Sequence, residues 1–408
     1  MKILQVSNKP PYPPRDGGSI AMFNLMHALG KLGHDITVLT MCTPKHNLEE
    51  DDIKAYGKFA RLHAVEVDST VKIPDMLLNF LFSGKPYTAV RFVSKSFEKE
   101  LISILTSNKF DVVQLEGLYL APYINTIRRY SPAIVAMRAH NVEHEIWTRV
   151  ARTETNPVKK LYFSSLAHRI RRLERRSLNR YDLLIPITQR DLESFNILGN
   201  TRPAQVCPAG VDAEPLEVVP SGAGTGNRPD QRSLFFLGSL DWIPNQEGIL
   251  WFVKAVYPEL YKRNPGLTLH IAGRNAPSWF KDRISGNGIE FHGEISDARQ
   301  FMLTHGILVA PYFSGGGMRV KIAEAMSLGI PVVTTPLGAE GLDVSPNQNI
   351  VFAITVNEYL EQLGRLIKYP DFCTSIGDHA RTFVLQHMDN KKIASALAGF
   401  YKQYLKCF

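Results

Sequence analysis

The stretch Ser314-Gly315-Gly316-Gly317-Met318-Arg319-Val320-Lys321-Ile322-Ala323-Glu324 gathers groups that can hold an anion. Gly315, Gly316 and Gly317 leave backbone N–H groups bare. Arg319 and Lys321 fall in the first turn of the helix predicted to follow, where the helix dipole disfavours cations. That placement makes sense if both face a dianion such as a diphosphate. Glu324 lies three residues past Lys321 on about the same helical face, and its carboxylate can accept hydrogen bonds from two vicinal hydroxyls, as on a ribose. The bland alternative is a glycine-rich turn beside a solvated charged face. Asp16-Gly17-Gly18 is a second such junction, since a helix N-terminus offers free N–H groups to an anion. Alone it reads equally as a flexible turn. His140 stands in Arg138-Ala139-His140-Asn141-Val142-Glu143-His144-Glu145, just past a predicted strand, where ligand-facing residues concentrate. A histidine that hydrogen-bonds substrate is favoured there over a metal ligand, because Asn141 breaks the H-E-x-x-H pattern. Glu116 follows another strand and reads either as ligand-facing or as a helix-capping acid. No metal site is expected.

These residues need strand ends to hold them. Residues 2–7 read as a strand, 8–19 as a proline-rich loop, 20–32 as a helix closed by Gly33, and 36–41 as a second strand. This βαβ unit implies a parallel sheet. Further buried strands are expected at 112–115, 133–137 and 182–187, with a short edge strand at 206–207. After a Pro/Gly/Ser-rich run, a fresh α/β series places strands at 234–237, 268–272, 289–291, 307–310 and 331–334. A long amphipathic helix at 389–405 closes the chain. The expected organisation is a Rossmann-like domain over 1–208, a linker over 209–232 and a second Rossmann-like domain over 233–385. A final helix over 386–408 returns to the first domain. Ligands of such sheets bind outside the strand carboxyl ends, so the expected site is a cleft between two facing sheets.

Composition narrows the classes. The 408 residues are 44% hydrophobic and 21% charged, which excludes a disordered, collagenous or disulfide-stapled chain. Cys42, Cys207, Cys373 and Cys407 form no CxxC or Cys/His cluster, which fits a reducing compartment. No apolar run is long enough to span a bilayer, and a cytoplasmic location is expected. The net charge of +8 is uneven: residues 1–200 hold 28 Lys and Arg against 20 Asp and Glu, while 201–408 hold 19 of each. Residues 149–180 carry ten basic and two acidic side chains, enough to account for the whole excess. Residues 158–178 read as a basic amphipathic helix with an apolar stripe of Tyr162, Leu166, Ile170 and Leu173. Its arginines, with the apolar segment 76–82, suit an anionic membrane surface. Nucleic acid is disfavoured, because aromatic residues are not interleaved with the arginines.

Several motifs occur in a familiar order: Gly17-Gly18, Gly33-His34-Asp35-Ile36-Thr37-Val38, Pro208-Ala209-Gly210-Val211-Asp212, Leu269-His270-Ile271-Ala272-Gly273, Ile289-Glu290-Phe291-His292-Gly293 and Glu324-Ala325-Met326-Ser327-Leu328-Gly329-Ile330-Pro331. Over nearly its full length the chain resembles glycosyltransferase family 4, with the GT-B fold. Gln114-Leu115-Glu116-Gly117, Asn141-Val142-Glu143 and Gly338-Ala339-Glu340-Gly341-Leu342 resemble a bacterial branch linked to exopolysaccharide and cell-surface glycans. The resemblance implies a retaining enzyme that moves a sugar from a UDP- or GDP-sugar to a glycan or lipid-linked acceptor, without a cofactor or metal. Glu324 matches the acid that binds the donor ribose. Arg319 and Lys321 would hold the diphosphate, with Gly315, Gly316 and Gly317 beside it. Gly17 and Gly18 would approach the donor from the first domain, and His140 would meet the sugar. Two departures stand out. Gly316 occupies the place of the family's first acid. Ser239 and the Asp241-Trp242-Ile243-Pro244-Asn245 loop occupy the place of the usual Arg and Lys, a pair that Arg319 and Lys321 are expected to replace. A nucleotide-sugar 2-epimerase, or a binding protein that has lost catalysis, shares the fold. A nicotinamide enzyme is excluded by the absence of G-x-G-x-x-G after the first strand.

Overall fold

Lys2–Ser7 (β1) is buried at five of six positions. A strand covered by helices on both faces reads as a near-continuous apolar run rather than an alternating one. The computed structural model describes residues 1–211 and 230–405. Beside β1 lie β2 (Asp35–Cys42), β3 (Arg61–Glu66), β4 (Val112–Glu116), β5 (Ile134–Ala139) and β6 (Leu183–Pro186), all parallel in the order β3-β2-β1-β4-β5-β6. A second parallel sheet holds β7 (Ser233–Leu237), β8 (Thr268–Ala272), β9 (Ile289–Gly293), β10 (Ile307–Ala310), β11 (Val332–Thr334) and β12 (Val351–Phe352), ordered β12-β11-β10-β7-β8-β9. Strand order reverses between β1 and β4 in one sheet and between β7 and β10 in the other. Such switch points open the crevices that take ligands in doubly wound folds.

The helices that matter below are α1 (Gly17–Lys31), α2 (Ile73–Phe82), α3 (Glu143–Thr153), α4 (Pro157–Ser177), α5 (Ile243–Trp251), α6 (Ala298–Leu303), α7 (Val320–Ser327), α8 (Val356–Lys368) and α9 (Asn390–Leu405). Two compact units result: Met1–Gly210 together with α9, and Val211–Asp389. Most of the expected linker, residues 212–229, lies outside the described residues, as does Cys407. Among the described residues no helix is long and apolar enough to cross a membrane.

Three local expectations need correction. Helix α1 begins at Gly17, not at residue 20. The Asp16 side chain accepts from Ser19 N–H while Ser19 Oγ accepts from Asp16 N–H, a capping box that draws both glycines into the first turn. Residues 206–207 form no strand. An isolated bridge joins Ala204 to Leu184, and the N–H groups of Gln205 and Cys207 donate to the carbonyls of Leu184 and Pro186. Strands β3 and β12 were not anticipated, because β3 is half-exposed and β12 spans two residues.

Leu4 and Val6 of β1 enter the core on one face of the first sheet, and Ile3 enters the core on the other. On the Ile3 side, Ala394, Leu397, Ala398 and Tyr401 of α9 pack with Leu25 and Leu29 of α1. In the second unit α5 lies directly on the end of β10: a Cβ on Gly248 would stand 1.7 Å from the Pro311 carbonyl oxygen. Gly248→Ala therefore must push backbone from backbone, and we expect a loss of about 3 kcal/mol in urea unfolding. Gly364→Ala in α8, where a Cβ meets nothing, should instead stabilise by about 0.5–1 kcal/mol. Equal midpoints for the two variants would contradict the packing described.

Candidate active site

On the face of the first sheet covered by α1 and α9, each central strand turns from apolar to polar toward its carboxyl end. The alternation of side chains along a strand puts Ile3, Gln5 and Ser7 on that face of β1. It does the same for Val112, Gln114 and Glu116 on β4, and for Ile134, Ala136 and Arg138 on β5, with His140 one step beyond. The polar members meet around Glu116. Its Oε1 accepts from Gln5 Nε2 at 2.6 Å and from Gln114 Nε2. Its Oε2 lies 2.7 Å from His140 Nε2 and 3.7 Å from Arg138 Nη1. Arg138 is 0% exposed and also donates to the Ala21 carbonyl at 2.9 Å. Tyr401 Oη of α9 donates to Gln114 Oε1 at 2.7 Å.

Burial alone would raise the Glu116 carboxyl, but Arg138 and His140 outweigh it and hold it near 2. For His140 burial wins over the neighbouring carboxylate and lowers the imidazole below its usual value. The pair is then Glu116 ionised and His140 neutral, which fixes Nε2–H on the carboxylate and leaves Nδ1 as a hydrogen-bond acceptor. His140 and His144 do not converge on one point. His144 Nδ1 lies 2.5 Å from Glu174 of α4, and Glu174 also accepts from the Glu143 N–H at 2.7 Å, capping α3. Glu143 itself was not foreseen as a titrating group. Burial, with Glu174 nearby, raises it to about 7 despite a 2.8 Å bond from Tyr119 Oη. A carboxyl poised at that value can exchange a proton near neutral pH. At the head of α1, Asp16 bonds Lys9 Nζ at 2.6 Å and lies 3.5 Å from His46 Nε2. Burial would raise its carboxyl, but His46 and Lys9 hold it well below the usual range. A Cβ on Gly18 would touch Lys9 Nζ at 2.8 Å, so glycine there admits the lysine.

In the second unit the glycine loop follows β10 at the switch point, with Gly315 and Gly317 at φ 89° and 78°. Arg319 is the N-cap of α7 and is buried. Its guanidinium does not point out from the loop. It donates to the carbonyls of Gly316, Gly317 (2.8 Å) and Ser314 (3.3 Å). It also lies over the rings of Trp242, at 5.0 Å, and Tyr312, at 4.8 Å. Arg319 thus ties the glycine loop to the loop after β7, where the family's usual cations are missing. Lys321 and Glu324 form an ion pair at 2.7 Å within the first two turns of α7, both half-exposed. Ser314 Oγ donates to Glu247 of α5 at 2.6 Å.

Among the described residues, one group of three His, Cys, Asp or Glu side chains is close enough to share an ion: His270, His292 and His305. It stands on the β8–β9 flank rather than at the β7–β10 junction.

The Glu116 cluster makes a pH-linked prediction. Its folded carboxyl sits near 2 against about 4.3 unfolded. The stabilisation is therefore complete above pH ~5 and lost as pH falls through the folded value. Glu116→Gln, which strands Arg138, should cost about 3–5 kcal/mol at pH 7, and the gap to wild type should narrow toward pH 2. A gap unchanged between pH 6 and pH 2.5 in denaturant titrations would refute the assignment.

The family model described as "Glycosyltransferase Family 4" matches residues 15–215, and that described as "Glycosyl transferases group 1" matches 231–368. A Klebsiella pneumoniae protein described as an uncharacterized protein in the cps region is 24% identical, over 97% of this chain and 98% of its own. Sucrose-phosphate synthase from Thermosynechococcus elongatus superposes with a TM-score of 0.71 at 15% identity, covering all of both chains. Anabaena HepE, solved with UDP, superposes at 0.66 with 14% identity, over 99% of this chain and all of that one. HepE has also been solved with UDP-glucose. Two family matches in tandem, on two parallel sheets that share the GT-B architecture, make this chain a glycosyltransferase similar to those of family 4.

Proposed function

We propose that this glycosyltransferase is a retaining enzyme that moves a sugar from a UDP- or GDP-sugar to a glycan or lipid-linked acceptor in surface polysaccharide synthesis. The observation that carries the donor assignment is the Gly315–Gly317 loop leading into α7, with the Lys321–Glu324 pair on its first two turns. In this reading the free N–H groups of α7 and the Lys321 ammonium take the diphosphate, and Glu324 takes the ribose hydroxyls. Arg319 holds the loop in shape from behind, so its positive charge stabilises the leaving diphosphate from a second tier. His140, with its Nδ1 free to accept, meets a sugar hydroxyl. Gly17 and Gly18 let a ligand approach the head of α1. No metal is assigned to the transfer step. The UDP complexes of HepE and the cps-region setting of the Klebsiella relative support the donor class and the pathway class.

A thermal-shift screen with UDP, GDP, ADP and their sugar conjugates tests this. One nucleotide series should raise the melting temperature by an increment that EDTA leaves unchanged. Lys321→Ala and Glu324→Ala should each weaken that nucleotide at least tenfold, about 1.4 kcal/mol. Wild-type affinity in both variants would remove the donor assignment.

The same proposal includes docking on an anionic membrane face. Helix α2 has no buried residue, and Leu81 and Phe82 at its end are 66% and 83% exposed. Arg169 of α4 grips the end of α2 by donating to the carbonyls of Asn79, at 3.1 Å, and Phe80, at 2.7 Å. Arg171, Arg172, Arg175 and Arg176 of α4 are exposed. Apolar side chains beside a basic helix suit insertion among anionic headgroups. Vesicles rich in phosphatidylglycerol should bind the chain at low salt, more weakly at 0.5 M salt, and at least tenfold more weakly for Leu81→Ser/Phe82→Ser. Equal binding to neutral vesicles would count against it.

A further inference from the structure

We propose that His270, His292, His305 and Glu290 form a binding site for a borderline divalent transition metal of the Zn²⁺ class on the flank of the second sheet, separate from the donor loop.

The strands build three of the four ligands. His270 of β8 pairs in register with Glu290 of β9, so the two side chains share one face, and His292 follows two residues along on that same face. A register shift immediately afterwards, between Ile271 and Ala272, ends the regular ladder beside His292. Bulges of this kind re-aim a side chain where a site needs it. The fourth ligand, His305, arrives from the turn between α6 and β10 and is buried, with its ring 4.2 Å from that of His270.

Several of the distances are close to those of a metal site. In tetrahedral Zn²⁺ coordination, ligand atoms about 2.0–2.1 Å from the ion stand roughly 3.3 Å apart. Here His270 Nδ1 lies 3.0 Å from His292 Nε2 and 3.3 Å from Glu290 Oε2, while His292 Nε2 lies 3.9 Å from Glu290 Oε2. One nitrogen from each of the three rings lies within 4.8 Å of the others.

The outer partners also fit. A ligating histidine donates its other ring N–H to a carbonyl or comparable acceptor, which fixes the ring and the tautomer. His305 Nδ1 lies 2.6 Å from the Phe301 carbonyl, which leaves Nε2 for the ion, and His270 Nε2 lies 3.1 Å from Thr268 Oγ1, which leaves Nδ1. The short contact between His270 and His292 needs one shared proton; an ion takes that proton's place when His292 moves its own proton to Nδ1. Imidazole and carboxylate ligands suit Zn²⁺, Ni²⁺ and Co²⁺ over Mg²⁺ or Ca²⁺. His292 and Glu290 are exposed, so the ion has an entry path. Once bound it joins the β9 edge to the α6–β10 turn.

The test uses the whole chain without a histidine tag, stripped with chelator and then titrated with ZnCl2 by calorimetry. One equivalent should bind with a dissociation constant of about 1 μM or lower. Co²⁺ should give the intense visible bands of a tetrahedral site. His292→Ala and Glu290→Gln change exposed side chains, and each should weaken Zn²⁺ at least tenfold while the metal-free melting temperature stays at the wild-type value. No saturable equivalent, octahedral Co²⁺ spectra, or wild-type affinity in His292→Ala would overturn the site. UDP and GDP binding is read separately, so failure here leaves the donor assignment standing.

Discussion

A carboxylate locked inside the first unit governs how that unit can be built. Glu116 is ionised and out of water, a state that is stable only with full hydrogen bonding and an opposite charge. Arg138, Gln5, Gln114 and His140 supply both, and they come from three neighbouring strands. The cluster therefore fixes the relative register of β1, β4 and β5 more strictly than aliphatic packing does, since aliphatic cores tolerate rearrangement. His140 inherits its tautomer and orientation from this arrangement. His140 is the outermost member of a network whose inner members carry the charge balance.

The second unit solves a related problem with backbone rather than with charge. A run of three glycines, Gly315 to Gly317, has no side chains of its own to hold a loop's shape. Arg319 supplies that shape from the inside by binding loop carbonyls, and Trp242 and Tyr312 hold the guanidinium in turn. Arg319, expected beside the diphosphate, bonds the loop's own carbonyls in this geometry, and Lys321 is left half-exposed beside Glu324. Planar, multiply donating arginine suits that role, as the single-point charge of lysine does not.

Much of this was legible in the chain, for identifiable reasons. Ten of the twelve strands among the described residues were located from the sequence, most of them because strands covered on both faces announce themselves as apolar runs. The exceptions, β3 and β12, are half-exposed or very short. The head of α1 was misplaced because glycine is a weak helix former, although Asp16 and Ser19 carried a capping signal. The Glu116 network could have been found by reading Gln5, Gln114, Glu116, Arg138 and His140 as alternate positions on one sheet face. That Arg319 turns inward could not, because nothing in its spacing says which way a guanidinium faces. The histidine cluster was hidden for a different reason: His270 and His292 sit in separate strands and His305 in a turn, so no sequence spacing marks them.

Tyr401 lies on the last helix, yet it bonds Gln114 in the middle of the first sheet, and α9 closes a core that begins with Ile3. The second unit is in effect an insertion into the first, and its ends meet where Val211 bridges Asp389. During synthesis from the N-terminus, the half of the protein made first is thus the half that must wait. The second unit is complete once Asp389 has emerged, whereas the first keeps an uncovered apolar face and an unfinished polar cluster until Tyr401 follows. A chain stopped before Tyr401 thus carries a whole second unit attached to a half-closed first one.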